Sequence, residues 1–224
     1  MKEKTIVRKN NFIFFSVVIL TITYVIFKDN FLNYEDDKSF VSEFIRTSKY
    51  QEGKSKISSF DAKDIIFERS DLVIKSIKFK NFTLLRSYVH PKYGIRFSPD
   101  IYVMSSDILF NADNLESRFN DNYIYDWGSL RNLENMKMNF RDYYRKFIYN
   151  HDYALSNNIT YNDFTNPNNI VDNTYNFYPD SIVVEYSSDN LSENEESYLR
   201  LVFEEYKNDW FLSGIITVNN NYEF

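Results

Sequence analysis

The sequence predicts an α+β domain behind an N-terminal membrane anchor, and three observations carry that expectation. Residues 12–27, FIFFSVVILTITYVIF, are uncharged and free of helix breakers between basic flanks. From Ser59 to Val89, apolar residues recur at helical spacing. From Ile182 to Val218 they alternate instead, in runs suited to a long antiparallel ending. Helices first, a further helix among strands and long strands last is an α+β order.

The apolar run would span roughly 24 Å as a helix, against a hydrocarbon core of about 30 Å. Local thinning and snorkelling of Arg8, Lys9 and Lys28 close the gap. A secretory signal peptide has the same charged start and apolar middle, but its cleavage needs small residues. This run ends in Tyr24, Val25, Ile26 and Phe27, all bulky. An uncleaved signal-anchor is therefore favoured over a cleaved signal and over a buried core helix. Lys2, Lys4, Arg8, Lys9 and Lys28 outweigh the single Glu3, which sets the N-terminus in the cytoplasm. The chain then divides into a cytoplasmic segment 1–11, a transmembrane helix 12–28, a juxtamembrane helix and linker 29–59, and an extracytoplasmic domain 60–224.

Of 26 basic and 32 acidic residues, five basic and one acidic fall in the first 28, which leaves 21 and 31, a net charge of −10, for the rest. Such a surface disfavours nucleic acid, because phosphate binding needs a basic footprint. It equally disfavours adsorption to an anionic membrane. The absence of cysteine excludes disulfides, thiolate catalysis and zinc–sulfur sites. Asparagine (27 residues), Phe (21) and Tyr (19) are abundant, as AT-rich codons of a bacterial genome would make them.

Along the chain, Glu35, Asp36 and Asp37 read as the charged first turn of a helix that continues through Ser39–Tyr50. Residues 51–59 form a loop. Ser59 or Asp61 caps a helix carrying Ile65, Ile66, Leu72, Val73 and Ile77. A second helix, Asn81–Val89, aligns Phe82, Leu85 and Val89, and His90-Pro91 stops it. Ile95 and Phe97, then Tyr102 and Met104, suggest two short strands separated by Ser98-Pro99. Asn111 or Asp113 starts a short helix through Leu115 and Phe119, and Tyr123–Trp127 reads as a strand ending at Gly128. Asn139–Tyr149 is a helix with an aromatic face of Phe140, Tyr143, Tyr144 and Phe147. Residues 162–178 are the longest polar stretch and the expected mobile loop. Ile182–Tyr186 and Tyr198–Tyr206 are strands, the latter with Leu199, Leu201 and Phe203 on one face. Lys207-Asn208-Asp209 turns the chain into Trp210–Val218, whose two faces both look apolar: Trp210, Leu212 and Ile216 against Phe211 and Ile215. One face should pack on helices and the other should line a second apolar space.

A curved sheet around an N-terminal helical pair resembles the nuclear transport factor 2-like, or ketosteroid-isomerase-like, fold. The closest part is FTLLRSYVHPKYGIRF, 82–97, where a helix ends in a short turn and enters the first strand. The longer segments 84–103, YDWG (125–128), 139–153, YPDSIVVEY (178–186) and 199–216 together resemble an uncharacterised family of exported bacterial proteins, often lipoproteins. The resemblance covers roughly residues 60–218. It implies a cone-like domain with an apolar mouth and carries over no catalytic residues. This chain departs from that pattern in having no lipobox cysteine and a very polar stretch at 157–176.

The residues that could carry chemistry are few. His90 could act as a general base at the cone mouth, with Arg96 binding an anion and Asp107 orienting the imidazole. The structural alternative, a helix-stop histidine bonding a terminal carbonyl, is favoured. His151-Asp152 reads as a helix C-terminus interacting with the dipole, since a metal would need a third ligand. Trp127 could stack on a ligand, though a buried tryptophan at a strand end is commoner. Isomerase chemistry needs an Asp base facing a Tyr–Asp oxyanion hole, for which Asp107, Tyr102 and Tyr186 are available. No Gly-rich phosphate loop, nucleophile elbow or metalloprotease motif occurs, and no cofactor is implied. The sequence thus favours a membrane-anchored binding or interaction module of the cell envelope, taking a small apolar ligand or an envelope protein through Tyr102, Trp127 and Tyr186. The alternative is a hydrolase or isomerase using His90, Arg96 and Asp107.

Overall fold

Ile66, Val73 and Ile77 share one side of a helix, α1 (Ser59–Lys78), and all three are buried to 1% exposure or less. The computed structural model describes residues 59–129, 136–166, 171–188 and 197–219. The expected anchor, juxtamembrane helix and linker lie outside them. Among the described residues, no helix is long and apolar enough to cross a membrane. Lys80, with φ +54, turns the chain into α2 (Phe82–Tyr88), which is capped by Asn81 accepting from Leu84 N at 3.0 Å.

The strands form a curved six-stranded sheet in the order β2-β1-β8-β7-β6-β5, an α+β arrangement. β1 (Ile95–Ser98) pairs antiparallel with β2 (Ile108–Phe110) and parallel with β8 (Asp209–Asn219). β8 continues antiparallel through β7 (Ser197–Tyr206) and β6 (Ile182–Ser187) to β5 (Ile159–Tyr161). Between β2 and β5 come α3 (Leu115–Asn120), the small β3–β4 pair (Tyr125–Asp126 with Lys137–Met138) and α4 (Phe140–Tyr143). The helix expected over 139–149 changes after α4 into a π-helical turn, Tyr144–Ile148. A last short helix, α5 (Thr174–Phe177), precedes β6.

Both faces of the sheet are covered. Helices and aromatic rings pack on one, where Phe97 meets Phe140 at 5.0 Å and Trp127 stacks on Tyr143 at 3.6 Å. We call this the helix face. The other, the loop face, buries Val183, Val202 and Ile216 under Val103 and Tyr178, with Phe164 and Phe177 packed against them. That is the second apolar space the alternation of the last strand called for, but the assignment of residues to faces shifts. Phe203 pairs with Leu212 and Val202 with Gly214, so Ser213 is an extra residue. The bulge moves Ile215 to the side of Leu212 and Ile216 to the opposite side.

Two further expectations are corrected. Residues 102–104 are not a strand; they belong to a loop held by Arg96 and Asp107, and the strand pairing with β1 is Ile108–Phe110. Of Tyr123–Trp127, only Tyr125–Asp126 pairs as a strand. The turn Lys207-Asn208 is tight as expected, with φ +53 and +61, the geometry of a two-residue hairpin.

Candidate functional site

The loop face is built on Arg96 and Ser98, alternate residues of β1 that point to the same side. Arg96 Nη1 donates to three carbonyls of one turn: Met104 O at 3.3 Å, Ser105 O at 3.0 Å and Asp107 O at 2.7 Å. Its guanidinium lies 5.2 Å over the Phe177 ring. Asp107 Oδ2 accepts from Ser98 Oγ at 2.6 Å and from Met104 N at 2.9 Å. Burial pushes the Asp107 carboxyl above its ordinary range, and the bonds from Ser98 and Met104 oppose that rise. Arg96 and Asp107 therefore close the 99–107 loop from its two ends.

His90 occupies the corner between α2 and β1. Its Nδ1 accepts from Tyr93 N at 2.9 Å and Lys92 N at 3.2 Å, so the neutral imidazole carries its proton on Nε2. The ring is 1% exposed, stacks on Tyr93 at 4.5 Å and meets Tyr206 at 5.1 Å. Burial holds its pKa below the ordinary histidine value; Glu204 resists and Lys92 assists. Gly94 completes the corner with φ +73, and a Cβ there would stand 2.4 Å from Phe110 O. The imidazole thus accepts from two amides instead of donating to a helix-end carbonyl.

The three ligand candidates are scattered. Tyr102 is 50% exposed on the loop that Arg96 holds. Trp127 is buried on the helix face and donates Nε1–H to Met138 O at 2.9 Å. Tyr186 is buried beside Ser70 of α1, with its hydroxyl pKa raised by burial. Arg96 and Asp107 share one turn, while His90 is engaged at the other end of β1.

The organising side chain of the loop face is Arg200, which the sequence reading did not single out. It is fully buried on β7 directly opposite Glu185 on β6, and its Nε donates to Glu185 Oε2 at 2.7 Å. Nη1 donates to Asp172 Oδ2 at 2.6 Å and Nη2 to Thr165 O at 2.8 Å, while Phe164 covers the guanidinium at 4.4 Å. Glu185 Oε1 accepts from Thr165 N at 2.8 Å. Asp172 is held below the usual carboxylate range by Thr174 and Arg200 against the cost of its burial. Nearby, Asn173 imitates a strand partner: its Oδ1 accepts from Val103 N at 2.7 Å and its Nδ2 donates to Val103 O at 2.9 Å. The described parts of the expected mobile loop, 162–166 and 171–178, are thereby fastened to the sheet. The available signal was a charge inside each of two apolar strand runs, Arg200 in SYLRLVF and Glu185 in IVVEYS.

At the end of the sheet, a polar groove of about 1000 Å³ passes between Lys63 of α1 and Asp180, Glu204, Glu205 and Trp210. Among the described residues, no group of three or more His, Asp or Glu side chains is placed to hold a metal. In comparisons with known proteins, the chain matches no family model, and neither a curated protein nor a solved structure is significantly similar to it.

Proposed function

We propose that the chain is a single-pass, N-in membrane protein whose extracytoplasmic, nuclear transport factor 2-like domain binds a small apolar ligand or an envelope protein. The observation that carries this reading is the loop face, where exposed apolar side chains stand on fastened loops. Tyr102 and Met104 flank Val103, and Val171 and Tyr175 flank the Asn173 that bonds it. Exposed aromatic and Met side chains on a preordered frame suit binding, since little ordering remains to be done on contact. The fold reading is supported by the helical pair α1–α2 ahead of β1, the helices between β2 and β5, and the long antiparallel ending β6–β8.

The enzyme alternative is less well supported, because Arg96, Asp107 and His90 Nδ1 are all engaged by nearby backbone or by Ser98. The test uses the purified full chain, warmed with and without fractionated envelope lipids, glycans and proteins. A ligand present at 100 times its Kd contributes about 2.7 kcal/mol, a rise of roughly 5–10 °C for a domain of this size. Absence of any shift, together with absence of a co-purifying envelope partner, would overturn the proposal.

A further inference from the structure

β5 is the outermost strand on its side of the sheet, with no described strand beyond it. Asn158 O accepts from Ser187 N and Asn162 N donates to Val183 O, so these residues turn their backbone inward. Alternation then turns the N–H and C=O groups of Ile159 and Tyr161 outward. Edge strands are commonly blunted by lysine, proline or a bulge. Ile159-Thr160-Tyr161 has none of these.

Beside this edge runs the solvent side of α1. Lys63, Phe67 and Asp71 lie at i, i+4 and i+8, one stripe of the helix. Phe67 is 57% exposed, and its ring is 6.3 Å from that of Tyr161, over which Lys63 Nζ stands at 5.8 Å. From Lys63 to Asp71 the stripe reads positive, apolar, negative, and Lys75 one turn further on donates to Asp71 Oδ2 at 2.8 Å. Laid antiparallel against itself about Phe67, it places Lys63 opposite Asp71 and apolar surface opposite apolar surface. That self-complementarity selects a second copy of this chain over an arbitrary peptide strand, which would match the edge but not the charge order.

We propose that the chain forms a two-fold dimer in which β5 pairs antiparallel with β5 of a second copy and the two α1 helices meet at Phe67. With the axis at Thr160, Ile159 of one copy faces Tyr161 of the other, and each such pair exchanges both of its outward hydrogen bonds. The two Thr160 residues face each other as a non-hydrogen-bonded pair, a favourable cross-strand combination. The interface is isologous, so it closes at two copies and leaves no further β5 edge open.

The absence of cysteine makes the test direct. In the full chain, a Thr160→Cys substitution brings two sulfurs together across the axis, because opposed Cα atoms at about 4.5 Å lie within disulfide reach. Under mild oxidation it is expected to give covalent dimer about tenfold faster than Tyr123→Cys, a 63% exposed position between α3 and β3. Lys63→Asp should suppress that crosslink, and adding Asp71→Lys should restore it. Phe67→Cys is the second probe should Thr160→Cys fail to fold. The proposal is overturned by crosslinking no faster than at Tyr123, by crosslinking to a different protein, or by a charge swap that restores nothing.

Discussion

The two faces of one sheet are held by different physics. Leu201 and Arg200 are neighbours on β7, both with essentially no exposure, and point to opposite sides. Leu201 enters an apolar, aromatic face where non-directional burial supplies the stabilisation. Arg200 enters a face whose covering loops are fixed by directional bonds to Glu185, Asp172 and Thr165. The comparison teaches that loops lacking apolar periodicity can still be ordered when a buried charge is fully satisfied. Their polar composition then serves attachment to the sheet, and a few apolar side chains, Tyr102 and Met104 among them, are left exposed.

The sharpest way to break this contrast is to truncate each neighbour in turn. Arg200→Met strands the buried Glu185 carboxylate and should cost about 3–5 kcal/mol in a denaturant titration. Adding Glu185→Leu should recover part of that loss. Leu201→Ala should cost about 2–5 kcal/mol through lost burial and a cavity. The two differ in where they act. Hydrogen exchange should find the Thr165 and Thr174 amides released locally in Arg200→Met, whereas in Leu201→Ala protection should fall throughout the sheet. Equal and uniform loss in both variants would erase the distinction between the faces.

A smaller effect is expected at Gly214, where Tyr178 crosses the loop face. A Cβ at Gly214 would stand 2.9 Å from the Tyr178 hydroxyl and 3.2 Å from Cζ. Gly214→Ala should therefore cost about 1–3 kcal/mol as an overpacking change. Tyr178→Phe removes the closer atom and should restore much of the thermal stability in the double variant. Failure of that rescue would mean that the tyrosine does not set the spacing there.

The smallest effect is one of pH. Because burial lowers the folded-state pKa of His90, the unfolded chain binds the proton more readily. The stability contributed by neutral His90 is fully present above the ordinary histidine pKa of about 6.5 and is lost as pH falls toward the lower folded value. Protonation also turns Nδ1 into a donor facing the Lys92 and Tyr93 amides. His90→Asn keeps an acceptor without the titration, so its melting temperature should decline less between pH 7 and pH 5 than that of the unaltered chain. Parallel declines would remove His90 from the acid limb.

What could be read in advance follows the same division. Helical spacing and strand alternation reveal the helix face, because burial there depends on period alone: α1, α2, β6, β7 and β8 were all legible as elements. The loop face was legible only as a second apolar space, not in the polar bonds that fasten its loops. Asp107 and Arg96 turn 102–104 into a loop through contacts with backbone that no local pattern encodes. The extra residue at Ser213 switches the faces of Ile215 and Ile216, since strand period cannot reveal a bulge. Tyr102, Trp127 and Tyr186 could all be named as ligand candidates, with burial already the commoner reading for Trp127, and of the three only Tyr102 is exposed. Arg200 carried the clearest unused signal, a cation in an apolar strand facing an anion in the next.

The central claim, that the fastened loop face is a binding surface, is tested most directly by a photoreactive amino acid at Tyr102 of the full chain in cells that express it. Glu116, exposed on α3, serves as the control position. The account predicts a discrete adduct at Tyr102, none at Glu116, and loss of the adduct when Arg200→Met releases the loops. Equal labelling at the two positions, or no adduct at Tyr102, would contradict it.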